Sequence, residues 1–341
     1  MKKAYNIFSL IIFAAVTVLL LIFPDDAKES AYMSLSLCAR SVIPALFPFC
    51  VLCSLFISSE MFQSFSSALP VGRIFGLGKA ASAPIIFGCL FGFPIGAKTA
   101  AELYKSGRIG KSEAESLMAV SNNSGPAFIV SVIGGAFWRD ATFGLYLYIS
   151  QLLSGLLSGL FVTRVLFPLK SSDSIQYKQA RLPLSVRFTD AVKSAVSSIM
   201  NICGFVCTFS VIGGLLKKVL INEKLYLLLI SFLEITTASE TASRMGGVFG
   251  AALCAFAVGF SGLSVIFQAA SFAVPLGLSL KKTVISKLIQ GTLCAFFILP
   301  ICGRSGAQTA VLMLISPVYS YITAVILACF CVKKAITLHK I

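Results

Sequence analysis

Two clusters of glycine, proline and small polar residues interrupt otherwise apolar stretches of the sequence. Gly92-Phe93-Pro94-Ile95-Gly96 leads into Lys98, and Ser121-Asn122-Asn123-Ser124-Gly125-Pro126 comes further on. Gly and Pro let a helix break and let backbone approach a ligand. A broken helix exposes unpaired N–H groups at its new start, where the dipole favours an anion or a polar head group. Asn122, Asn123 and Ser124 add side-chain donors and acceptors. The second half of the chain offers Glu234, Thr236, Ser239 and Glu240 in one apolar stretch and Ser261 in a Gly259-Phe260-Ser261-Gly262 break. This is binding chemistry. No Ser-His-Asp, metal or acid–base constellation can be assembled, and the one histidine, His339, lies in the tail. No G-x-x-x-x-G-K-[ST] loop occurs, so ATP hydrolysis is not expected of this chain. The expectation is a protein that is not an enzyme and needs no metal or cofactor. Helix kinks and close-packing points are the plainer reading of such breaks, since Gly, Ser and Pro are common in membrane helices. Four breaks at related positions favour a binding site.

The elements that must position these residues belong to a membrane protein. Of 341 residues, 57% are hydrophobic and 12% charged, and the mean hydropathy is +0.92. Soluble domains carry about 25% charged residues. Runs of about 20 apolar residues, the length that crosses a bilayer, recur and are continuous rather than alternating, which excludes a β-barrel. The net charge of +15 arises from Lys and Arg placed between the apolar runs, as the positive-inside rule requires, and no nucleic-acid partner is expected. The 11 cysteines, including Cys50 and Cys53 and the pair Cys203 and Cys207, read as small apolar packing residues. Lys2 and Lys3 precede an apolar run from Ala4 to Phe23 that reads as a retained span, since no small-x-small cleavage site comes after it.

The positive-inside rule then predicts spans at Tyr5–Phe23, Leu37–Ile57, Glu113–Phe137, Thr142–Pro168, Ala191–Leu216, Gly247–Leu278, Val284–Gly303 and Val311–Val332. Pro84–Tyr104 and Leu225–Arg244 are too interrupted for simple spans and read as re-entrant hairpins. The expected fold is therefore all-α, with about eight transmembrane helices plus two re-entrant hairpins and both termini cytoplasmic. Residues 1–35 form an N-terminal anchor and outer loop, 36–169 a first repeat, 170–188 a cytoplasmic linker, 189–304 a second repeat, and 305–341 a last helix with a basic tail.

The two repeats align. Gly96-Ala97-Lys98-Thr99-Ala100-Ala101 matches Ala238-Ser239-Glu240-Thr241-Ala242-Ser243, Asn123-Ser124-Gly125 matches Phe260-Ser261-Gly262, and Arg40-Ser41 matches Lys193-Ser194. The spans leading into the repeats point in opposite directions, so the repeat is inverted. Glu234 and Glu240 are read as the acidic residues inside membrane elements. Lys98 and its repeat partner Glu240 could pair across the pseudo-twofold axis, and an anionic substrate would compete for Lys98. The alternative for Lys98 is a side chain snorkelling to the cytoplasmic face. Arg40 and Arg244 are weaker candidates near span ends.

Phe91-Gly92-Phe93-Pro94-Ile95-Gly96-Ala97-Lys98, the helix through Glu113 and Glu115, and Ser121-Asn122-Asn123-Ser124-Gly125-Pro126-Ala127-Phe128 closely resemble the sporulation integral membrane protein family of YlbJ type, found in endospore-forming bacteria. The resemblance runs from about Leu37 to Val332. It implies the nucleoside-recognition gate group, similar in architecture to concentrative nucleoside transporters. It also implies dipicolinate as cargo, moved from the mother cell across the outer forespore membrane. Lys98, the helix starts and the Asn/Ser clusters would suit such a dianion, with Phe93 or Phe128 stacking on its ring. Two rivals are a transporter of a nucleoside or other small metabolite, and a non-transporting scaffold for spore-envelope assembly. The expected partners are a small anionic substrate and the lipid bilayer, with room for a homo-oligomer or other sporulation membrane proteins.

Overall fold

The computed structural model describes residues 2–59, 61–169 and 183–302, and among these there is no β-strand. Helix α1 (Lys2–Ile22) turns through 99° into α2 (Pro24–Leu37). Pro24 suits a first helical position, where its missing N–H costs nothing, and Asp25 and Asp26 complement the positive end of the helix. α2 continues through a π-helical turn (Cys38–Val42) into α3 (Ile43–Ile57). The outer loop expected before Leu37 is thus the first half of a long helix, because nothing between Asp25 and Leu37 breaks one.

Four short helices come next: α4 (Met61–Ala68), α5 (Val71–Ile74), α6 (Ser82–Phe91) and α7 (Ile95–Lys105). Gly88 of α6 and Gly96 of α7 both press on the carbonyl of Ser121, so the two helices fold back as a hairpin with its tip at Gly92-Phe93-Pro94. α8 (Lys111–Ser121) ends at Asn122, and a π-helix (Ala127–Phe137) resumes beyond the break. Asp140 caps α9 (Ala141–Leu160) by accepting from the N–H groups of Thr142 and Phe143, and α9 runs on as a π-helix to Leu166.

The second half opens with α10 (Leu184–Val219), which begins inside the expected linker; residues 170–182 lie outside the described residues. α11 (Glu223–Leu233) and α12 (Ile235–Met245) meet at Glu234. They pack against each other along their lengths, so this pair too is a hairpin. α13 (Gly247–Phe260) and α14 (Gly262–Ala273) are separated by Ser261, and α15 (Lys281–Cys302) closes the described chain. The expected span Val311–Val332 and the tail lie outside the described residues.

Ala141–Leu166, Leu184–Val219, Gly247–Leu276 and Lys281–Ile301 are long and apolar enough to cross a membrane, and the bent α1–α2 pair raises the number to five. The count of eight is therefore not reached among the described residues, because the stretch Glu113–Phe137 is split by its break and the span from Leu37 is joined to α2. α9 shows the inversion expected in lipid: Leu145, Ile149, Leu153 and Leu156 face outward while Ser150, Gln151, Ser154 and Ser158 are buried. α10 lies antiparallel to the Pro24–Ile57 helix, with Lys218 on Asp26 at one end (2.7 Å) and Arg187 donating to the Ser58 carbonyl at the other (3.0 Å). The two halves share one order of elements, a helical hairpin, then a broken helix, then a long helix.

Candidate functional site

The two breaks and the two hairpin tips come together. Gly92 has φ +85, and a Cβ there would stand 2.5 Å from the nitrogen of Gly125. In the other half, a Cβ on Gly262 (φ +70) would stand 3.0 Å from the Leu233 carbonyl and 3.3 Å from the Glu234 Cα. Each hairpin tip thus rests on the break of its own half, and only a residue without a side chain lets the two backbones approach so closely. Carrying the repeat alignment back from Gly96 and Ala238 pairs Gly92 with Glu234, and Gly125 already pairs with Gly262. The contacts and the alignment agree residue by residue.

A cavity of about 130 Å³ lies where these parts meet. Hairpin tips supply Phe91, Gly92, Phe93, Glu234, Ile235 and Thr236; the breaks and the helices that resume beyond them supply Gly125, Ala127, Phe128, Ser264, Val265 and Gln268. Leu37, Ser41, Val42, Leu46 and Phe49 of the α2–α3 helix and Ile202 and Val206 of α10 close its sides. Of the residues singled out in the sequence, Gly92, Phe93, Gly125, Phe128, Glu234 and Thr236 line it. Ser41, Ser264 and Gln268 line it without having been expected there. Ser264 and Gln268 lie one turn apart on α14, a polar spacing inside an apolar helix that marks an inward face. Gln268 donates to the Ser264 hydroxyl (3.4 Å), and its own amide oxygen is buried without a partner.

The two tips differ in one respect. Glu234 is fully buried, and its carboxylate accepts from the N–H of Thr236 (3.0 Å) and of Thr237 (2.6 Å), capping α12. At the matching start of α7 the cap position is Pro94, and no side chain covers the N–H groups there. One hairpin carries its own carboxyl group at the helix start, and the other has no side-chain cap there.

The remaining expected residues sit around this centre. Pro94 is joined to Phe93 through a cis peptide bond. Gly96 packs on Ser121, whose hydroxyl donates to the Leu117 carbonyl (2.7 Å). Asn122 and Ser124 are buried with unpartnered side chains, as is Ser239. The Ser261 hydroxyl donates to the Val258 carbonyl (3.4 Å). Lys98 is 4% exposed, so it does not snorkel; its ammonium lies 3.8 Å from Glu102, one turn on. Glu240 pairs with Arg244 instead (2.5 Å), on the exposed side of α12. The pair expected across the pseudo-twofold axis between Lys98 and Glu240 is not made, because each charge finds an i,i+4 partner on its own helix. Glu102 and Arg244 are themselves repeat partners, so the two pairs are one arrangement with the signs exchanged. Glu102, passed over in the sequence, also lies inside a hairpin helix.

A polar seam behind the first break went unnoticed as well. Lys287, 1% exposed in α15, donates to Gln290 Oε1 (2.7 Å) and to Asn123 Oδ1 (3.4 Å), and Gln290 Nε2 donates to the same Asn123 oxygen (3.0 Å). Its signal is a lysine inside an apolar span, the fourth residue of the expected Val284–Gly303.

No protein-family model matches the chain, and no solved structure does. One comparison reaches across most of its length: it is 28% identical over 330 aligned positions, covering 84% of this chain and 80% of the relative, to the sporulation integral membrane protein YlbJ of Bacillus subtilis (strain 168). That relative is named as an integral membrane protein, in agreement with the apolar helices found here. The motif resemblance and the similarity along the chain point the same way: this multi-pass integral membrane protein is a relative of the sporulation integral membrane proteins of YlbJ type.

Proposed function

We propose that this protein is a transporter, not an enzyme, that binds its cargo in the cavity where both hairpin tips meet both breaks. In this reading the hairpins are re-entrant, the two halves form an inverted repeat, and alternating movement of the tips opens the cavity to either side. The cargo is dipicolinate, carried during sporulation across the outer forespore membrane, with both termini of the chain in the cytoplasm.

The observation that carries this is the difference between the tips. Glu234 occupies the N-terminus of α12 with a built-in carboxyl group, while the matching start of α7 has no side-chain cap and is preceded by Gly92 and Phe93, which line the cavity. A carboxylate on the cargo would take at α7 the place that Glu234 takes at α12. Lys98, one turn further along α7 and without a hydrogen-bond partner, would add charge. Phe91, Phe93 and Phe128 supply faces for an aromatic ring.

One observation favours a second cargo, a nucleoside or similar small metabolite. The cavity lining contains Glu234 and the neutral side chains of Ser41, Thr236, Ser264 and Gln268, and neither lysine nor arginine. That set suits hydroxyl and amide groups better than a second carboxylate. Equilibrium binding of dipicolinate and of uridine to detergent-purified protein separates the two, with Lys98→Ala beside wild type. Saturable dipicolinate binding that weakens at least tenfold in Lys98→Ala supports the first reading. Binding of uridine alone supports the second, and binding of neither overturns both cargo readings.

A further inference from the structure

The polar residues of α15 fall on one face. Lys282, Thr283, Ser286, Lys287 and Gln290 are all buried, whereas Leu288 and Phe296 are exposed on the opposite side. Each has a partner or a gap on the neighbouring helices. Lys282 donates to the Ser112 carbonyl and to the hydroxyls of Ser112 and Ser116 (2.9 Å each), and lies 3.9 Å from Glu115. One turn on, Ser286 donates to the Ala119 carbonyl (2.9 Å) and meets Ser158 (3.3 Å). Next come Lys287 and Gln290 on Asn123, with Gln290 Nε2 also donating to the Gln151 carbonyl (3.2 Å). The seam runs from the charged end of α8 to Asn123, two residues before Gly125 and the cavity.

Unsatisfied groups border it. Both amide atoms of Asn122 and of Gln151, and the hydroxyls of Ser124 and Thr283, are buried without a partner. Groups of this kind beside one another call for water along the seam. Lys287 is the one amine at its inner end, and its partners are neutral amide oxygens. The titratable side chains nearest it are the thiols of Cys89 on α6 and Cys294 on α15; beyond them come Cys254 on α13, beside Cys294, and the phenol of Tyr148 on α9, which donates to the Cys89 carbonyl (3.0 Å). From α8 the facing side chain is Asn123, and the nearest charges along the seam are Lys282 and Glu115. Among the described residues no carboxylate lies within ion-pair distance of Lys287. A buried charge is costly unless it is paired or lines water. An amine held by neutral oxygens keeps the option of shedding its proton, which a salt-bridged one does not.

We infer that Lys287 is a proton-binding site, loaded and unloaded through the hydrated seam between α8 and α15, and that its protonation state sets the position of the break at Asn123. With the proton on, the ammonium and Gln290 both hold the Asn123 oxygen and fix the break beside the first hairpin tip. With the proton off, Asn123 loses its charged donor and the break is free to shift with the tip. Proton movement is thereby coupled to the cavity. This deepens the transport reading and rests on it for its purpose, but the proton site is tested without any cargo.

The test is carbamylation by cyanate, which attacks only unprotonated amines, read out by mass spectrometry of purified full-length protein in detergent. At pH 7, Lys287 should be modified at least tenfold faster than the exposed Lys217, and the ratio of the two rates should shrink as the pH is raised from 8 to 10, where Lys217 sheds its own proton. A rate for Lys287 equal to or below that of Lys217 overturns the proposal, because the amine is then either fixed in its charged form or out of reach of water. A second measurement uses proteoliposomes loaded with a pH-sensitive dye and given dipicolinate. Wild type should move protons with the anion, and Lys287→Met and Lys287→Arg should each take up dipicolinate without them. Proton movement unchanged in both variants overturns the coupling. If wild type moves no dipicolinate, the cargo reading fails and the cyanate result still decides the proton site.

Discussion

Replacing Gly92 by alanine tests whether the contact between the first hairpin tip and the break is as close as described. Gly92 has φ +85 and ψ −177, a region that residues with a Cβ avoid, and forcing alanine into it costs about 1–3 kcal/mol. The new Cβ would also meet the Gly125 nitrogen at 2.5 Å, so the two backbones must part by most of an ångström. Overpacking of that kind costs about 1–3 kcal/mol, for a sum of about 2–6 kcal/mol. Gly107 is the control. It has φ +72 but nothing within 4 Å of an added Cβ, so Gly107→Ala bears only the backbone term, about 1–2 kcal/mol. Melting in detergent can be monitored with a thiol-reactive fluorogenic maleimide, because Cys50, Cys53 and Cys294 are free thiols buried in the folded chain. At about 2 °C per kcal/mol, Gly92→Ala should melt about 4–12 °C below wild type and Gly107→Ala about 2–4 °C below, at one scan rate. Equal midpoints for the two variants would refute the close tip-to-break contact.

Glu234→Gln keeps the size of the side chain but weakens two charge-assisted bonds to α12, so it should destabilise by about 2–3 kcal/mol in the same melting assay. Glu240→Gln removes an exposed i,i+4 partner of Arg244 and should cost about 0.5 kcal/mol or less, the reverse of an expectation built on a buried pair with Lys98. Asp140→Ala strips the cap from α9 and should cost about 1 kcal/mol while leaving ligand binding at the cavity, which Asp140 does not line, unchanged in a titration. Gly213→Ala meets only the Ile230 Cδ1, at 2.6 Å; that flexible end can rotate away, so a midpoint shift of about 2 °C or less is expected.

The features legible in the sequence were those that depend on local chemistry. Apolar length gave three of the four long helices to within three residues and α10 with its first seven residues missing, and Gly-Pro clusters gave the break of the first half and the tip of its hairpin. The alignment of Gly96 with Ala238, carried back four residues, puts Gly92 opposite Glu234, and each of the two sits at the tip of its hairpin. The start of α2 was misread because Asp25, Asp26 and Glu29 look like loop residues, although acids are also what the first turn of a helix prefers. The Lys98 partner was misread because an axis of symmetry suggested a long-range pair where i,i+4 neighbours were nearer. Ser264, Gln268 and Lys287 went unassigned for a different reason. Each is a single polar residue in an apolar helix, and only packing reveals which of them face a cavity or a buried seam.

The polar face of α15 also constrains how the chain is made. A helix carrying Lys282, Thr283, Ser286, Lys287 and Gln290 enters hydrocarbon poorly by itself: a lysine at a helix centre costs about 2.5–3.5 kcal/mol on insertion, and Lys287, a third of the way along, bears part of that. Its shielding comes from Ser112, Ser116 and Asn123 at α8, from Ser158 and the Gln151 carbonyl of α9, and from the face of α13 at Gly259, all of which leave the ribosome earlier. The order of synthesis therefore lets α15 dock onto a surface already waiting for it. Were the same helices made in the opposite order, α15 would have to be held at the insertion machinery until its partners arrived.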